Sequence, residues 1–226
     1  MCGRFELHAT PAKIKKYFDL TGELHFSPSW NIAPTTPINS IVADESDNRH
    51  LKQMYWGLIP SWAKDRTIAT KLINARSETV AEKPSFRNAF KRRRCIIPAS
   101  GFYEWKAEEG KKQPWYISHK SDELMAFAGL WEHWTSKEGD EIESCCIITT
   151  HANPFMEKIH SRMPVILNPE QWSVWLSQKE QSPDKLLPVI NLKEYKSMQA
   201  WLVTRELNRA GFRNDEGLVE PLPDTK

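Results

Sequence analysis

The sequence predicts an α+β fold: a single compact domain over residues 1–226, built around a mostly antiparallel, barrel-like β-sheet with short peripheral helices. Three observations predict it. Short β-rich segments outnumber helical ones, the two kinds do not alternate in the regular βαβ manner that a parallel sheet requires, and no linker, repeat or low-complexity run divides the chain. At 226 residues the chain is long enough to bury a sizeable core.

The first element is helical. Thr10 supplies an N-cap, Pro11 occupies the first helical position, and "AKIKKYFDL" continues with amphipathic spacing to an end near Thr21–Gly22. Beyond it the segments "INSIVA", "LKQMYWGL", "RCIIPA", "PWYIS", "MAFAGLWEHW", "SCCIITT", "MPVIL" and "AWLVT" read as strands, because each is short, rich in β-branched or aromatic residues, and bounded by Pro, Gly or Asp/Asn. Helices are expected at "SFRNAFKR", "PFMEKI" and "PEQWSVWLSQ", the last with Asn168 as cap and Pro169 behind it.

Composition narrows the function classes. Ten Trp and nine Phe in a chain that is 40% hydrophobic imply either a rigid core or stacking surfaces beside a ligand. The net charge is only +2, yet Lys83 to Lys112 holds nine Lys or Arg against three Glu. That concentration suits an anionic polymer, and it equally suits a solvated helix end around "KRRRC". Four cysteines without C-x-x-C spacing argue against a disulfide framework or a zinc ribbon, so no metal or other cofactor is expected and a reducing, cytoplasmic setting is. No run approaches eighteen apolar residues and no export signal is visible, which predicts a protein that neither crosses nor enters a membrane.

Four residues carry the candidate chemistry. Removal of Met1, which the small Cys2 permits, would leave a terminal cysteine whose α-amine and thiol form a 1,2-aminothiol reactive toward aldehydes. Asn74 stands in "KLINARSET", Glu104 lies among Phe102, Tyr103 and Trp105, and His160 follows a short helix in "KIHSRMPV". Singly, each has an ordinary reading: an incidental terminus, a turn cap, a salt-bridged core carboxylate, a satisfied core histidine. Together they supply a nucleophile, an amide to orient it, a carboxyl group whose pKa burial would raise, and an imidazole, which are the parts needed for covalent chemistry on a carbonyl.

Six motifs in order then carry a resemblance: "MCGRF", "NIAP" at Asn31 to Pro34, "WGLIPSW" at Trp56 to Trp62, "INARSET" at Ile73 to Thr79, "IIPASGFYEWK" at Ile96 to Lys106, and "IHSRMPV" at Ile159 to Val165. Over nearly its whole length the chain resembles the SRAP family (SOS response-associated peptidase domain), whose members capture abasic sites in single-stranded DNA. The resemblance implies that Cys2, Asn74, Glu104 and His160 are the active-site residues and that Arg4, Arg76 and Arg162 line a DNA channel. Ser161, Asn31, Pro34 and Trp62 are the further DNA-binding residues it implies. Ala63 departs from the family, some of whose members carry a second aromatic there, and Thr204 and Asn208 resemble its closing motif without being assigned chemistry.

The implied reaction follows from the groups. His160 acts as general acid on the closed sugar, the Cys2 amine, with a reference pKa of about 7.7 to 8.0, forms a Schiff base with the exposed aldehyde, and the thiol closes a thiazolidine. The second attack is intramolecular, with an effective molarity on the order of 10⁵ M or more, so ring closure should prevail. The expected partner is single-stranded DNA containing abasic sites, bound without sequence preference by a monomer that is nucleoid-associated when on DNA. Two other classes stay open on the residues alone. One is an amidohydrolase or peptidase using an N-terminal cysteine, and the other is a single-stranded DNA-binding module in which Cys2 is incidental.

Overall fold

In chain order the elements are β1 (Phe5–Leu7), α1 (Pro11–Phe18), β2 (Ser29–Ile32), β3 (Pro37–Ala43), β4 (Arg49–Trp56), β5 (Asn74–Arg76), α2 (Arg87–Arg92), β6 (Arg94–Ala99), β7 (Gly101–Glu108), β8 (Lys111–His119), β9 (Met125–Thr135), β10 (Glu141–His151), β11 (Arg162–Pro164), α3 (Trp172–Leu176), α4 (Pro183–Ile190) and β12 (Met198–Leu202). They come from a computed structural model that describes residues 2–108, 110–191, 195, 197–208 and 213–223. Met1 and positions 209–212 of the C-terminal motif lie outside the described residues.

Strands β10, β4, β3, β6 and β9 form a ring that closes where β9 pairs again with β10, from Thr135 opposite Glu141 to Gly129 opposite Ile147. A closed ring of five strands cannot be antiparallel at every seam. Here the necessary exception is the parallel contact of β4 with β10, Tyr55 opposite Ser144 and Trp56 opposite Cys145. The far half of β10 takes on β5 in parallel and β11 in antiparallel register, with Asn74 opposite Ile147 and Arg162 opposite His151. A second, antiparallel sheet runs β12-β8-β7-β1-β2.

The barrel strands are buried on both faces, which explains why "RCIIPA" and "SCCIITT" are continuous apolar runs rather than alternating ones. Cys95, Ile97, Phe127, Cys145 and Ile147 pack on one face with Cys2, Phe5, Phe102 and Ile117 of the first strand and the second sheet. Ile96, Ala128, Leu130, Cys146 and Ile148 pack on the other with Phe18, Phe90, Trp172 and Trp175 of the helices. Most of the aromatic excess is therefore core, with Phe5 meeting Trp56 and Phe127 edge-on at 5.2 and 6.1 Å. All four cysteines are buried and free.

The short strand β1 is held hard. Its Glu6 carboxylate, fully buried, accepts from the Tyr116 hydroxyl at 2.6 Å and from the backbone N–H of His8 at 3.0 Å. Gly101 makes this approach possible: a Cβ there would lie 2.4 Å from the Tyr116 hydroxyl. With Phe5 opposite Phe102 and Glu6 opposite Gly101, continuing the register brings Gly3 across from Glu104.

Several elements differ from the sequence expectation. Helix α1 stops at Phe18 because Asp19 adopts a left-handed conformation (φ 53°) and its N–H bonds back to the Lys15 carbonyl. "PFMEKI" makes only a 3₁₀ turn at Met156–Lys158, started by Asn153, whose side-chain oxygen accepts from the Met156 N–H. "PEQWSVWLSQ" begins as a 3₁₀ turn under an Asn168–Gln171 capping box before α3. Strands β1, β2, β5 and β7 and helix α4 were not anticipated.

The basic run is also different from a surface patch. The Arg94 side chain is buried and donates to the carbonyls of Trp175 (2.7 Å), Phe90 (3.0 Å), Lys179 (3.2 Å) and Ser177. Arg93 pairs with the buried Glu132 at 2.7 Å, and Arg92 with Glu180 at 2.9 Å. These charges tie α2 and β6 to β9 and to the segment after α3, and the electrostatic reading of "KRRRC" as a DNA footprint does not hold for the buried Arg94, whereas the Arg92 side chain stays 61% exposed.

Candidate active site

Cys2 is fully buried beside β1. The side-chain N–H of Asn74 donates to its backbone carbonyl at 2.8 Å, so β5, packed on β10, holds the strand that carries the cysteine. The other end of that amide, Oδ1, is buried with no hydrogen-bond partner among the described residues. It is an acceptor available to an amine.

Glu104 arrives from β7, one strand over from β1 and 2% exposed. Burial pushes its carboxyl above the usual range, and the nearby His160 imidazole opposes that shift without cancelling it. Burial likewise pushes the Cys2 thiol well above its ordinary value, with the Glu104 charge adding to the effect. Each of these groups thus feels its neighbour, and the thiol is held as S–H rather than thiolate. His160 lies two residues before β11, and its Nδ1 sits 3.0 Å from the backbone nitrogen and 3.2 Å from the carbonyl oxygen of Arg162, so the Arg162 main chain holds the ring in either tautomer. The structure therefore brings Cys2, Asn74, Glu104 and His160 together from β1, β5, β7 and the turn before β11.

The other expected residues are dispersed around this cluster. Half-buried Arg4 bonds through Nη1 to the Asn31 side-chain oxygen, and the Asn31 amide donates to the Arg213 carbonyl at 2.9 Å. Both line a cavity of about 530 Å³ with Ser29, Asn39, Gln53 and Asn214. Pro34 sits half-buried in the turn between β2 and β3, and Arg76 is exposed at the end of β5. Ser161 is exposed, its carbonyl accepting from the Ala152 N–H. Trp62 stands 55% exposed in the loop after β4, with its indole N–H reaching the Pro84 carbonyl at 3.4 Å.

Arg162 is mostly buried at the start of β11. Its side chain is 11% exposed and forms a two-pronged pair with Glu78, at 2.9 and 3.1 Å, while Nη2 also donates to the Thr149 carbonyl at 2.7 Å. The partnership of Glu78 with Arg162 was not legible in the sequence, since nothing in the spacing joins residue 78 to residue 162. Asn214 was missed outright, although its side-chain oxygen accepts from the Trp30 N–H at 2.7 Å and fixes β2 where Asn31 emerges.

A family model described as SOS response associated peptidase (SRAP) matches residues 1–210. The chain belongs to the SRAP family. Among its relatives, the abasic site processing protein YoqW of Bacillus subtilis (strain 168) is 47% identical over 97% of this chain and 99% of its own length. The abasic site processing protein YoaM of the same organism is 46% identical over 92% of this chain and 93% of its own. A crystal structure of a protein from Bacteroides thetaiotaomicron superimposes with a TM-score of 0.85 at 26% identity, covering 98% of this chain and all of that one. In this chain the stretches "INARSET", "GFYEW" and "IHSRMPV" lie on or beside β5, β7 and β11, the elements that meet around Cys2. Among the described residues of this SRAP chain, no group of three or more His, Cys, Asp or Glu is arranged to hold a metal ion, and no helix is long and apolar enough to cross a membrane.

Proposed function

We propose that this chain processes abasic sites in DNA, as the names of its SRAP relatives state for them, and that it does so by forming a covalent thiazolidine through Cys2 after removal of Met1. The observation that carries the proposal is the Asn74 hydrogen bond to the Cys2 carbonyl beside an elevated Glu104 carboxyl and His160.

His160 protonates the ring oxygen of the closed sugar from its imidazolium form and releases the aldehyde. The Cys2 amine, oriented by the buried Oδ1 of Asn74, attacks the carbonyl carbon. The carbinolamine loses water to give an imine, with Glu104 delivering the proton to the departing oxygen. The Cys2 sulfur then adds to the imine carbon while its proton passes to nitrogen, closing the five-membered ring. The nitrogen attacks first and the sulfur, tethered to the same residue, second. The protein acts on single-stranded DNA as a monomer. Arg4 and Arg76 hold phosphates without reading bases, and Asn31, Pro34, Ser161 and Trp62 complete the DNA-binding surface.

The test is direct. Intact-mass measurement of the purified protein is expected to show loss of one methionine. Incubation with a single-stranded oligonucleotide bearing one abasic site is expected to give a denaturation-resistant adduct whose mass is that of the two components less one water. Cys2→Ala is expected to abolish the adduct and leave reversible DNA binding intact; an undiminished adduct would overturn the mechanism.

A further inference from the structure

We infer that the cavity beside Arg4 is a nucleobase subsite, which takes the base next to the abasic position and selects one that carries an exocyclic amino group, adenine above all. The inference rests on the abasic-site reading above and deepens it.

The cavity, of about 530 Å³, begins at Arg4, two residues along the chain from Cys2. That is no more than about 7 Å of backbone, a length that one nucleotide of an extended strand spans. The Arg4 carbonyl accepts from the Tyr103 N–H at 3.0 Å, which keeps this end of the cavity beside the strand of Glu104. A strand whose abasic sugar sits at Cys2 therefore brings its next nucleotide to the cavity. Arg4 is the only charged lining residue among those described, so no carboxylate repels DNA there. Phe26, Ile32 and Ile38 give it apolar walls, and the Phe26 ring is a surface on which a base can stack.

Recognition falls to two amides. Asn39 on β3 lies directly opposite Gln53 on β4, and both line the cavity. Residues so paired keep their Cβ atoms about 5 Å apart, close enough to meet one planar ligand. The Asn39 side-chain oxygen is buried and has no hydrogen-bond partner among the described residues. An acceptor in that state is costly until a donor reaches it. An exocyclic amino group is such a donor, and the ring nitrogen beside it accepts from the N–H of the same amide, the two-point pairing by which Asn and Gln read adenine. In a single strand those base edges are free of a complementary base. Cytosine has the same pattern on a smaller ring with less area to stack, while thymine and guanine set a carbonyl oxygen where the amino group is needed. The arginine grip on phosphates stays blind to sequence, and this contact adds one position that is read.

The experiment uses the full processed chain and single-stranded oligonucleotides. In a first series an unreactive tetrahydrofuran takes the abasic position, and each neighbouring position in turn carries adenine, purine without the amino group, thymine or a second tetrahydrofuran. Adenine on one side only is expected to bind on the order of tenfold tighter than purine or thymine at the same position. The ratio should hold across a salt series in which the absolute affinities fall, because a base contact releases no counterions. Asn39→Ala is expected to bring the adenine-to-purine ratio close to one, and Gln53→Ala, at an exposed position where the fold is not at risk, to reduce it. Equal binding of adenine and purine on both sides, or a ratio that survives both substitutions, would overturn the inference. A second series carries a true abasic site and reads the denaturation-resistant adduct. Adduct formation without any dependence of affinity on the neighbouring base overturns the subsite alone, whereas a wild-type protein that keeps the adenine ratio and gives no adduct overturns the Cys2 chemistry alone.

Discussion

Arg92, Arg93 and Arg94 stand side by side in the chain, whereas Arg4 and Arg76 are isolated among uncharged neighbours. Judged by charge density along the sequence, the first group is the nucleic-acid patch. In space the first group is largely tied down by partners within the protein. Arg94 is buried against four carbonyls and Arg93 and Arg92 are neutralised by Glu132 and Glu180, while Arg4 and Arg76 flank the strands that carry Cys2 and Asn74. A basic run marks DNA contact only if its side chains leave the surface in one direction. A run that crosses from the end of a helix into a barrel strand cannot do that, because successive strand residues point to opposite faces.

This contrast can be broken most severely at Arg94. Burial pulls its guanidinium down to about 10, and four main-chain carbonyls accept from it. Arg94→Ala would leave them unsatisfied in a closed core, and we expect a loss of about 3 kcal/mol or more in unfolding free energy, measured by denaturant titration. If Arg94→Ala instead left stability alone and weakened DNA binding, the run would be a patch after all.

The site sharpens the contrast through Glu104. Its folded-state pKa is raised by burial, so the folded protein binds a proton more tightly than the unfolded chain does. Stability from this group is therefore present below the ordinary carboxylate range and is lost as pH rises through the folded value. Glu104→Gln is expected to melt higher than the wild type near neutral pH, with the gap closing under acid, and to form adduct more slowly. A melting curve unchanged across pH would mean that the carboxyl is not strained by its site.

The smallest effect belongs to Arg76. Arg76→Gln is expected to leave the melting temperature within error and to weaken single-stranded DNA binding, lowering the slope of log affinity against log salt by about 0.7. An unchanged slope would remove it from the DNA surface.

Much of this was legible without coordinates. The strand-rich pattern and the ordered motifs that hold Cys2, Asn74, Glu104 and His160 are local features, each readable from a few neighbouring residues, whereas the sequence left the aromatic excess open between core and stacking surface. The helices were read less well, since "PFMEKI" has the composition of a helix and too little apolar face to extend beyond one turn. Strand β7 was obscured by Glu104, a charged residue inside an apolar strand, which is the kind of local conflict a functional site produces.

What the sequence determined by itself is the set of chemical groups: a cysteine positioned to become a terminus, an amide, a carboxyl among aromatics and an imidazole. What only the tertiary structure decided is which charges face outward and which are internal supports. Arg94 and Arg162 look like any surface arginine when read along the chain. Their partners, the carbonyls after α3 and the carboxylate of Glu78, are brought to them only when β10 and β6 take their places in the ring, because pairing across a sheet joins residues by register in space and not by separation in sequence.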